Sequence, residues 1–533
     1  MTEMIKRLCG EMHLPTFLLC SGCLFPVSVS FPATAEILKE KWAFVVILVI
    51  LISGIRYVLG GKELICQTDK ILKAFVLLCV VEMAVAILQL LSVLPSFHSF
   101  FRFTGTFRNP SVFAMMMSLC MPICVYYIIR STGRGNSAWY ALMLCVLLCI
   151  VLSESRTSLI AAVCSSLVIT FIEVPRYRYS LSNRKIILSF FVVSIVLLTV
   201  LYYYKRDSAD GRALIWTVSL KMIAERPMLG WGADGFSASY MPYQAEFLSG
   251  KESGLAYLAD NISHPFNEFL LICIKYGMAG FAMLACAIVF IVRICLNTNS
   301  VYRSLYLGMF LTLFIHSLFS YPYTVPIIWV SSVFLVCSVI GGYCQGSPKR
   351  QILMLLLLSG SFIGVLYHER HIYYECQWQR LQNSTLSVKR IYREYEVLYN
   401  HLNGNPSFLY NYGAWLHHNG YYLESLRVLD ECRGSYDDYN VELLIADNYK
   451  QLGNAKMAID VFEYAHAMIP SRFLPLYYVM RTYDDVGDYV NASRTAKKII
   501  EKPAKIDKSP SVRKIKQEAK MLKFRKRLSL SVL

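Results

Sequence analysis

Residues 186–204 (IILSFFVVSIVLLTVLYYY) run for nineteen positions without a charge, and this stretch constrains the chain more than any other feature. A helix rising ~1.5 Å per residue crosses the ~30 Å hydrocarbon layer of a bilayer over such a length. Comparable windows recur, and the pattern predicts about eleven spans, near 14–31, 42–60, 74–95, 111–129, 138–153, 157–174, 186–204, 276–292, 304–320, 325–343 and 351–367. Charged residues make up 17% of the chain, against roughly 25% in soluble domains, and the deficit falls almost wholly before residue 370. The first apolar run follows Lys6 and Arg7 and lacks a small-x-small exit. It therefore reads as a span and not as a cleaved signal.

Basic residues collect on the cytoplasmic side of membrane helices. With the N-terminus inside, fifteen Lys or Arg fall on inner segments, and five (Lys39, Lys41, Arg102, Arg108, Arg156) fall on short outer loops. This asymmetry puts the 205–275 segment, and everything after residue 367, on the outer face.

Past residue 367 the pattern changes. Gly420, Gly453 and Gly487 recur at spacings of 33 and 34, within LHHNGYYLES, YKQLGNAKMA and YDDVGDYVNA. Around the second glycine, Tyr449, Ala458, Phe462, Ala465 and Pro470 stand at the offsets of a ~34-residue helix–turn–helix repeat. Tyr483, Ala492 and Ala496 repeat the pattern one unit later. The small residues let paired helices approach and the aromatics fill the space between pairs. The expected fold class is all-α: a polytopic membrane helix bundle over 1–367 with a catalytic outer loop at 205–275, then a linker over 368–404. A C-terminal α-solenoid of tetratricopeptide-like repeats follows over 405–505, and a basic tail over 506–533. Such a solenoid offers a surface to a protein partner and brings no catalysis of its own.

The net charge of +17 is concentrated at the end: residues 501–533 hold eleven Lys or Arg against three acids. Beside so many spans this tail reads as a solvated basic helix or a contact for acidic membrane lipids, and nucleic acid is not an expected partner. The 17 cysteines are scattered through apolar windows without metal-ligand spacing, and read as small hydrophobes in helix interfaces.

Four phrases carry chemistry, each on the outer side of this topology. They are GTFRNPSVFAMM (105–116), SESRTSLIAA (153–162), DGRALIWTVSLKMIAERPMLGWGADGF (210–236) and SHPFNEFLLICIKYGMAG (263–280). A glycine–asparagine–proline entry to a span, a Ser-Arg-Thr turn, GR…IW…PxLGWGxxxF and HPFNEFLxxxxxYGxxG, in that order, resemble the O-antigen ligase and polymerase superfamily. The resemblance covers roughly residues 40–345.

The resemblance implies transfer of a glycan from an undecaprenyl-pyrophosphate carrier to an acceptor hydroxyl, with inversion and without a nucleotide-sugar. Pyrophosphate is already a good leaving group, so the task is to hold and neutralise its charge. Guanidinium groups suit this, being permanently charged and able to fork onto phosphate oxygens. Arg156 and Arg212 match the family's arginine positions and are the expected diphosphate ligands. The alternatives are a snorkelling interfacial arginine for Arg156 and a surface charge paired with Asp210 for Arg212. Arg108, in FRNP, is a third candidate phosphate contact.

His264 occupies the family's histidine position and is expected to orient or deprotonate the acceptor hydroxyl. Glu268 lies four residues on, on the same helix face where the helix has begun, and would fix the imidazole tautomer. Equally, it serves as a carboxylate at the positive end of a helix, and Asn267 as a cap. Glu82 and His316 fall within spans but match no motif of the family, and read as inter-helix hydrogen-bonding groups. The sequence has no Walker loop, no paired carboxylates of a nucleotide-sugar transferase and no His/Cys cluster, so no cofactor, metal or nucleotide is expected.

The leading reading is a ligase-type transferase in the bacterial inner membrane, with a lipid A-core or a protein as acceptor. A protein O-oligosaccharyltransferase and a repeat-unit polymerase are alternatives within the superfamily, and the appended repeats favour a macromolecular acceptor. From another class, a polysaccharide transporter or flippase with a docking domain would show internal two-fold similarity. None is visible, and the charged chemistry gathers in one outer loop.

Overall fold

The computed structural model describes residues 43, 45–51, 63–98, 100–131, 135–174, 206–249, 254–298, 300–344, 352, 360, 373–505 and 509–530. The expected spans near 14–31 and 186–204 lie outside them. Those near 42–60 and 351–367 do so except for single positions and a short stretch. Helices account for the regular structure among the described residues. In chain order they are α1 (Glu63–Leu90), α2 (Pro110–Arg130), α3 (Gly135–Leu152), α4 (Arg156–Glu173), α5 (Arg206–Glu225), α6 (Gly235–Leu248), the short α7 (Gly254–Leu258), α8 (Glu268–Asn297), α9 (Arg303–Phe319) and α10 (Pro326–Cys344). Beyond these come α11 (Val388–Leu402), α12 (Pro406–His418), α13 (Tyr422–Ser435), α14 (Tyr439–Gln451), α15 (Ala455–Met468), α16 (Leu474–Asp485), α17 (Tyr489–Glu501) and α18 (Pro510–Leu530).

The chain divides into two compact units. The first comprises Met1–Leu201, Phe266–Glu268 and Met283–Gln379, the second Tyr202–Pro265, Phe269–Ala282 and Arg380–Leu533. By length and composition, Thr68–Leu90, Pro110–Arg130, Arg156–Glu173 and Glu268–Asn297 can each cross a membrane, and Asn136–Leu152, Arg303–Phe319 and Pro326–Ile340 are shorter apolar helices.

In the first unit α2 is the central helix, buried from Phe113 through Tyr126. Asn109 starts it by accepting the Ser111 N–H at 2.8 Å, and Pro110 fits the first turn, where its missing N–H costs nothing. The face of α4 is small (Ser158, Ala161, Ala162, Ser165), and Gly308 of α9 lets Ile169 come in so closely that a Cβ there would stand 2.8 Å from its Cδ1. Close approach through small residues is how helices gain packing in lipid, where burial alone supplies little. His316 of α9 meets the Ser118 hydroxyl of α2 at 2.8 Å, the expected inter-helix hydrogen bond. Leu144 and Leu148 point outward at 66% and 56% exposure, as a lipid-facing surface requires.

One end of this bundle is ionic. Arg130, closing α2, pairs with Glu173, closing α4, at 2.8 Å, and Glu173 also accepts the hydroxyl of Ser304 at the start of α9. Thus α2 and α4 run parallel and α9 antiparallel to them. It follows that the N-terminal ends of α2 and α4 lie together at the opposite end of the bundle.

In the second unit α12/α13, α14/α15 and α16/α17 form three helical hairpins. Each turns at a glycine with positive φ: Gly420 at 83°, Gly453 at 78° and Gly487 at 76°. The residue after each glycine donates back five positions, Tyr421 to Leu416, Asn454 to Tyr449 and Asp488 to Tyr483, at 2.8–3.0 Å. The same turn is built three times because a residue without Cβ enters the left-handed region freely. Ala446, Ala458 and Phe462 pack in the core of the middle hairpin, and the basic α18 lays Val512, Ile515, Ala519 and Leu522 against Phe473 and Ile499.

Candidate active site

In the first unit the GTFRNP turn is held from below by α1. Glu82, fully buried, accepts the Thr106 N–H at 2.8 Å and its hydroxyl at 2.7 Å. One helical turn and three residues further, Gln89 donates to the Gly105 carbonyl at 2.8 Å and accepts the Thr104 N–H at 2.9 Å. Gly105 has φ +62°, and a Cβ there would stand 2.5 Å from Glu82 Oε2. These contacts present Arg108 as an exposed side chain just ahead of α2. Arg156 is the first residue of α4, after a turn in which Glu154 takes φ +54°. It is half-buried. Both arginines therefore stand at the end of the bundle remote from the Arg130–Glu173 pair.

The same end collects Tyr321 and Tyr323, from the loop between α9 and α10. Asn109 Nδ2 donates to the Tyr321 hydroxyl at 2.9 Å, and the Tyr321 ring meets Phe266 edge-on at 5.4 Å. Glu268 Oε1 accepts the Tyr323 N–H at 3.3 Å. Phe266 takes φ +55°, so the chain bends there and α8 starts at Glu268. His264 precedes that helix, and its spacing from Glu268 is not a helical one. Glu268 occupies the first turn of α8, where a carboxylate is favoured by the helix dipole.

In the second unit two further motifs meet. The Trp216 indole of α5 donates to the Pro265 carbonyl at 3.0 Å. Arg212 lies four residues before Trp216 on α5, hence on the same face of that helix. Arg212 and the His264–Pro265 turn are thus brought to one side of α5. Arg212 is half-buried, as is His264, whose Nε2 is enclosed. Asp210 pairs with Arg206 at 3.3 Å.

The PMLGWG loop and the KYGMAG stretch interlock through their backbones. Trp231 N–H donates to Ile274 at 2.8 Å, Gly232 to Lys275 at 2.9 Å, and Met278 to Pro227 at 2.8 Å. Helix α8 breaks at Gly277 (φ 64°, ψ −165°) to allow this. The Trp231 indole donates to the Met222 carbonyl at 2.9 Å, and Arg226 lies over its ring at 4.0 Å, fixing the loop to the end of α5.

The structure groups the expected residues in two sets, with Arg108, Arg156 and Glu268 in the first unit and Arg212 and His264 in the second. Gln89, Tyr321 and Tyr323 lie outside the four phrases that carry chemistry in the sequence, whereas Trp216 is the tryptophan of the GR…IW phrase. A glutamine in the last turn of an apolar helix, and a tyrosine–proline–tyrosine phrase between two spans, were the available signals. Among the described residues no three His, Cys, Asp or Glu side chains gather as metal ligands.

No curated protein matches the chain. Residues 141–285 match the family model described as O-antigen ligase. The matched stretch contains Arg156, Arg212, His264 and Glu268, together with the interlocked PMLGWG and KYGMAG segments, while the GTFRNP turn and the C-terminal hairpins lie outside it. Among the described residues four helices are long and apolar enough to cross a membrane, and residues 141–285 form a domain similar to O-antigen ligase.

Proposed function

We propose that the protein is an inverting glycosyltransferase of the ligase type. It moves a glycan from an undecaprenyl-pyrophosphate carrier to an acceptor hydroxyl at the outer face of the bacterial inner membrane, with lipid A-core as acceptor. The observation that carries this reading is the meeting of Arg212 and the His264 turn on one side of α5 through the Trp216–Pro265 hydrogen bond. A permanent cation and an imidazole on one side of α5 are what donor and acceptor need respectively. The acceptor oxygen forms a bond to the anomeric carbon as the bond from that carbon to the diphosphate oxygen breaks. The proton leaves the acceptor towards His264, and Arg212 neutralises the departing diphosphate. With an arginine meeting the leaving group, the step makes no demand for a metal ion or cofactor.

The three hairpins are taken as tetratricopeptide-like repeats on the periplasmic side, and the N-terminus as cytoplasmic. Their presence favours a second reading, transfer to Ser or Thr of a protein. A glycan blot of a deletion strain separates the two. Loss of polymer from lipopolysaccharide is expected. Loss from total protein with unchanged lipopolysaccharide would establish the second reading, and no change in either would remove both.

A further inference from the structure

Helix α6, on the same 205–275 segment as His264, does not lie free. It seats on α13 and α15 of the hairpins with Phe236, Tyr240, Met241, Ala245 and Leu248 buried. The Ser237 hydroxyl donates to the Ser435 carbonyl at 3.0 Å, and the Ser237 backbone carbonyl accepts the Asp437 N–H at 3.1 Å. Gln244, with no exposed surface, donates to the Met468 carbonyl at 2.8 Å and the Asp260 carbonyl at 3.1 Å, and accepts the Tyr240 hydroxyl at 3.0 Å. One buried amide thereby ties α6, the chain just before His264 and the end of α15 to one another.

The stretch leading to His264 is held a second time. Asn261 Nδ2 donates to Asp438 Oδ2 at 2.7 Å. Asp438 is 3% exposed and is fixed in turn, its Oδ1 capping α14 by accepting the Asn440 and Val441 N–H groups at 2.9 Å. Arg472 donates to Asp260 Oδ1 at 2.9 Å. Burial works to raise the Asp260 carboxyl, but the Arg472 hydrogen bond and the Asn261 N–H hold it below its ordinary value, so the pair is ionic. Three residues after Asn261 stands His264, and immediately beyond it Pro265 is fixed by Trp216.

We propose that the hairpin region is an intramolecular clamp for the transfer site. In this assignment Asp438, acting through Asn261, and Arg472, acting through Asp260, are positioning residues that set the location of His264. The hairpins' partner on the α13–α15 face is then the chain's own outer loop. The inference rests on the reading of His264 as the group that meets the acceptor. Its energetic logic is preorganisation: a displacement of about 1 Å at a reacting group can cost roughly 10²-fold in rate, and a loop tied on both sides of the histidine resists such displacement.

The test is a reciprocal exchange in the full-length protein, assayed with a lipid-linked glycan donor. Asn261→Asp sets a second carboxylate against the buried Asp438 and is expected to lower kcat roughly ten-fold or more, with the KM for donor unchanged. Asp438→Asn keeps the α14 cap and can pair with a turned Asn261 amide, so it costs little. Asn261→Asp combined with Asp438→Asn restores the donor–acceptor pair and is expected to return kcat to within about two-fold of the parent. Should Asn261→Asp fail to fold, the exposed pair gives the same test without touching the interior. Asp260→Arg and Arg472→Asp each lower kcat by roughly two- to five-fold, and together they recover it.

Full activity of folded Asn261→Asp, or a loss that the exchange does not recover, overturns the clamp. Failure of the underlying reading is seen separately: His264→Ala would then transfer glycan normally, whatever the Asn261 variants do.

Discussion

Arg212 and His264 lie on one side of α5, yet the proposed chemistry asks different things of them. In that proposal Arg212 holds the donor diphosphate before and during bond cleavage, whereas His264 acts on the acceptor as the new bond forms. A charge-assisted contact contributes about 1.5–3 kcal/mol, equivalent to roughly one to two orders of magnitude in rate. General-base assistance contributes about 10²–10⁴-fold. Arg212→Ala is expected to lose both photo-crosslinking to a lipid-linked donor and transfer. Arg212→Lys should recover little, since an ammonium cannot fork onto two oxygens. His264→Ala is expected to crosslink donor as the parent does and to fail in transfer. Equal loss of crosslinking and transfer in His264→Ala would move the residue to the donor site, and normal donor crosslinking in Arg212→Ala would make that arginine a surface charge. In the sequence Arg212 and His264 stand out through the phrases that resemble the O-antigen ligase family. The support of the turn ahead of Arg108 was less legible, since Glu82 reads as an inter-helix group and in fact holds the backbone of the Gly105–Thr106 turn.

At the scale of elements, periodicity revealed what depends on local sequence. The glycines at 420, 453 and 487 marked three turns, and each has the left-handed φ that such a turn needs. The α8 region was less legible. The expected span begins near 276, whereas the helix begins at Glu268 and breaks at Gly277. The break depends on backbone pairing with the PMLGWG loop, and no hydropathy period encodes a contact between segments so far apart. Two glycines of that loop system separate conformation from space. Gly277 (φ +64°) would set a Cβ 2.2 Å from the Met228 carbonyl oxygen, and Gly232 (φ +90°) has nothing within 4 Å. Gly277→Ala adds a backbone clash to an unfavourable φ, at about 1–3 kcal/mol for the strain alone. It is expected to lower the thermal midpoint and expose the 226–232 loop to protease. Gly232→Ala, which meets only the conformational cost, is expected to be milder in both measurements. Equal effects would show that the interlock contributes nothing beyond the two φ values.

For the molecule as a whole, the second unit limits how the chain is threaded through the membrane. Because α6 packs on α13 and α15, the 205–275 loop and the hairpins must share one side. That packing leaves a protein acceptor, in the second reading, to the hairpin surfaces other than the α13–α15 face that α6 covers. Between loop and hairpins the chain passes through α8, α9 and α10, and three crossings would leave residue 345 on the side opposite to the loop. A return requires a fourth crossing before residue 373. The apolar run at 351–367 is the sequence available for it. On the sequence's charge count that shared side is expected to be the outer one. Alkaline phosphatase fused after residue 533, or inserted at 251–253, is therefore expected to be active. A fusion at 346–349 should be silent, with a cytoplasmic reporter giving the reverse at each site. Activity at 346–349 together with silence at both other sites would invert the topology and place the proposed transfer in the cytoplasm. Opposite results at 251–253 and 533 would contradict the α6–hairpin packing itself, because a helix and its seat cannot be divided by a bilayer.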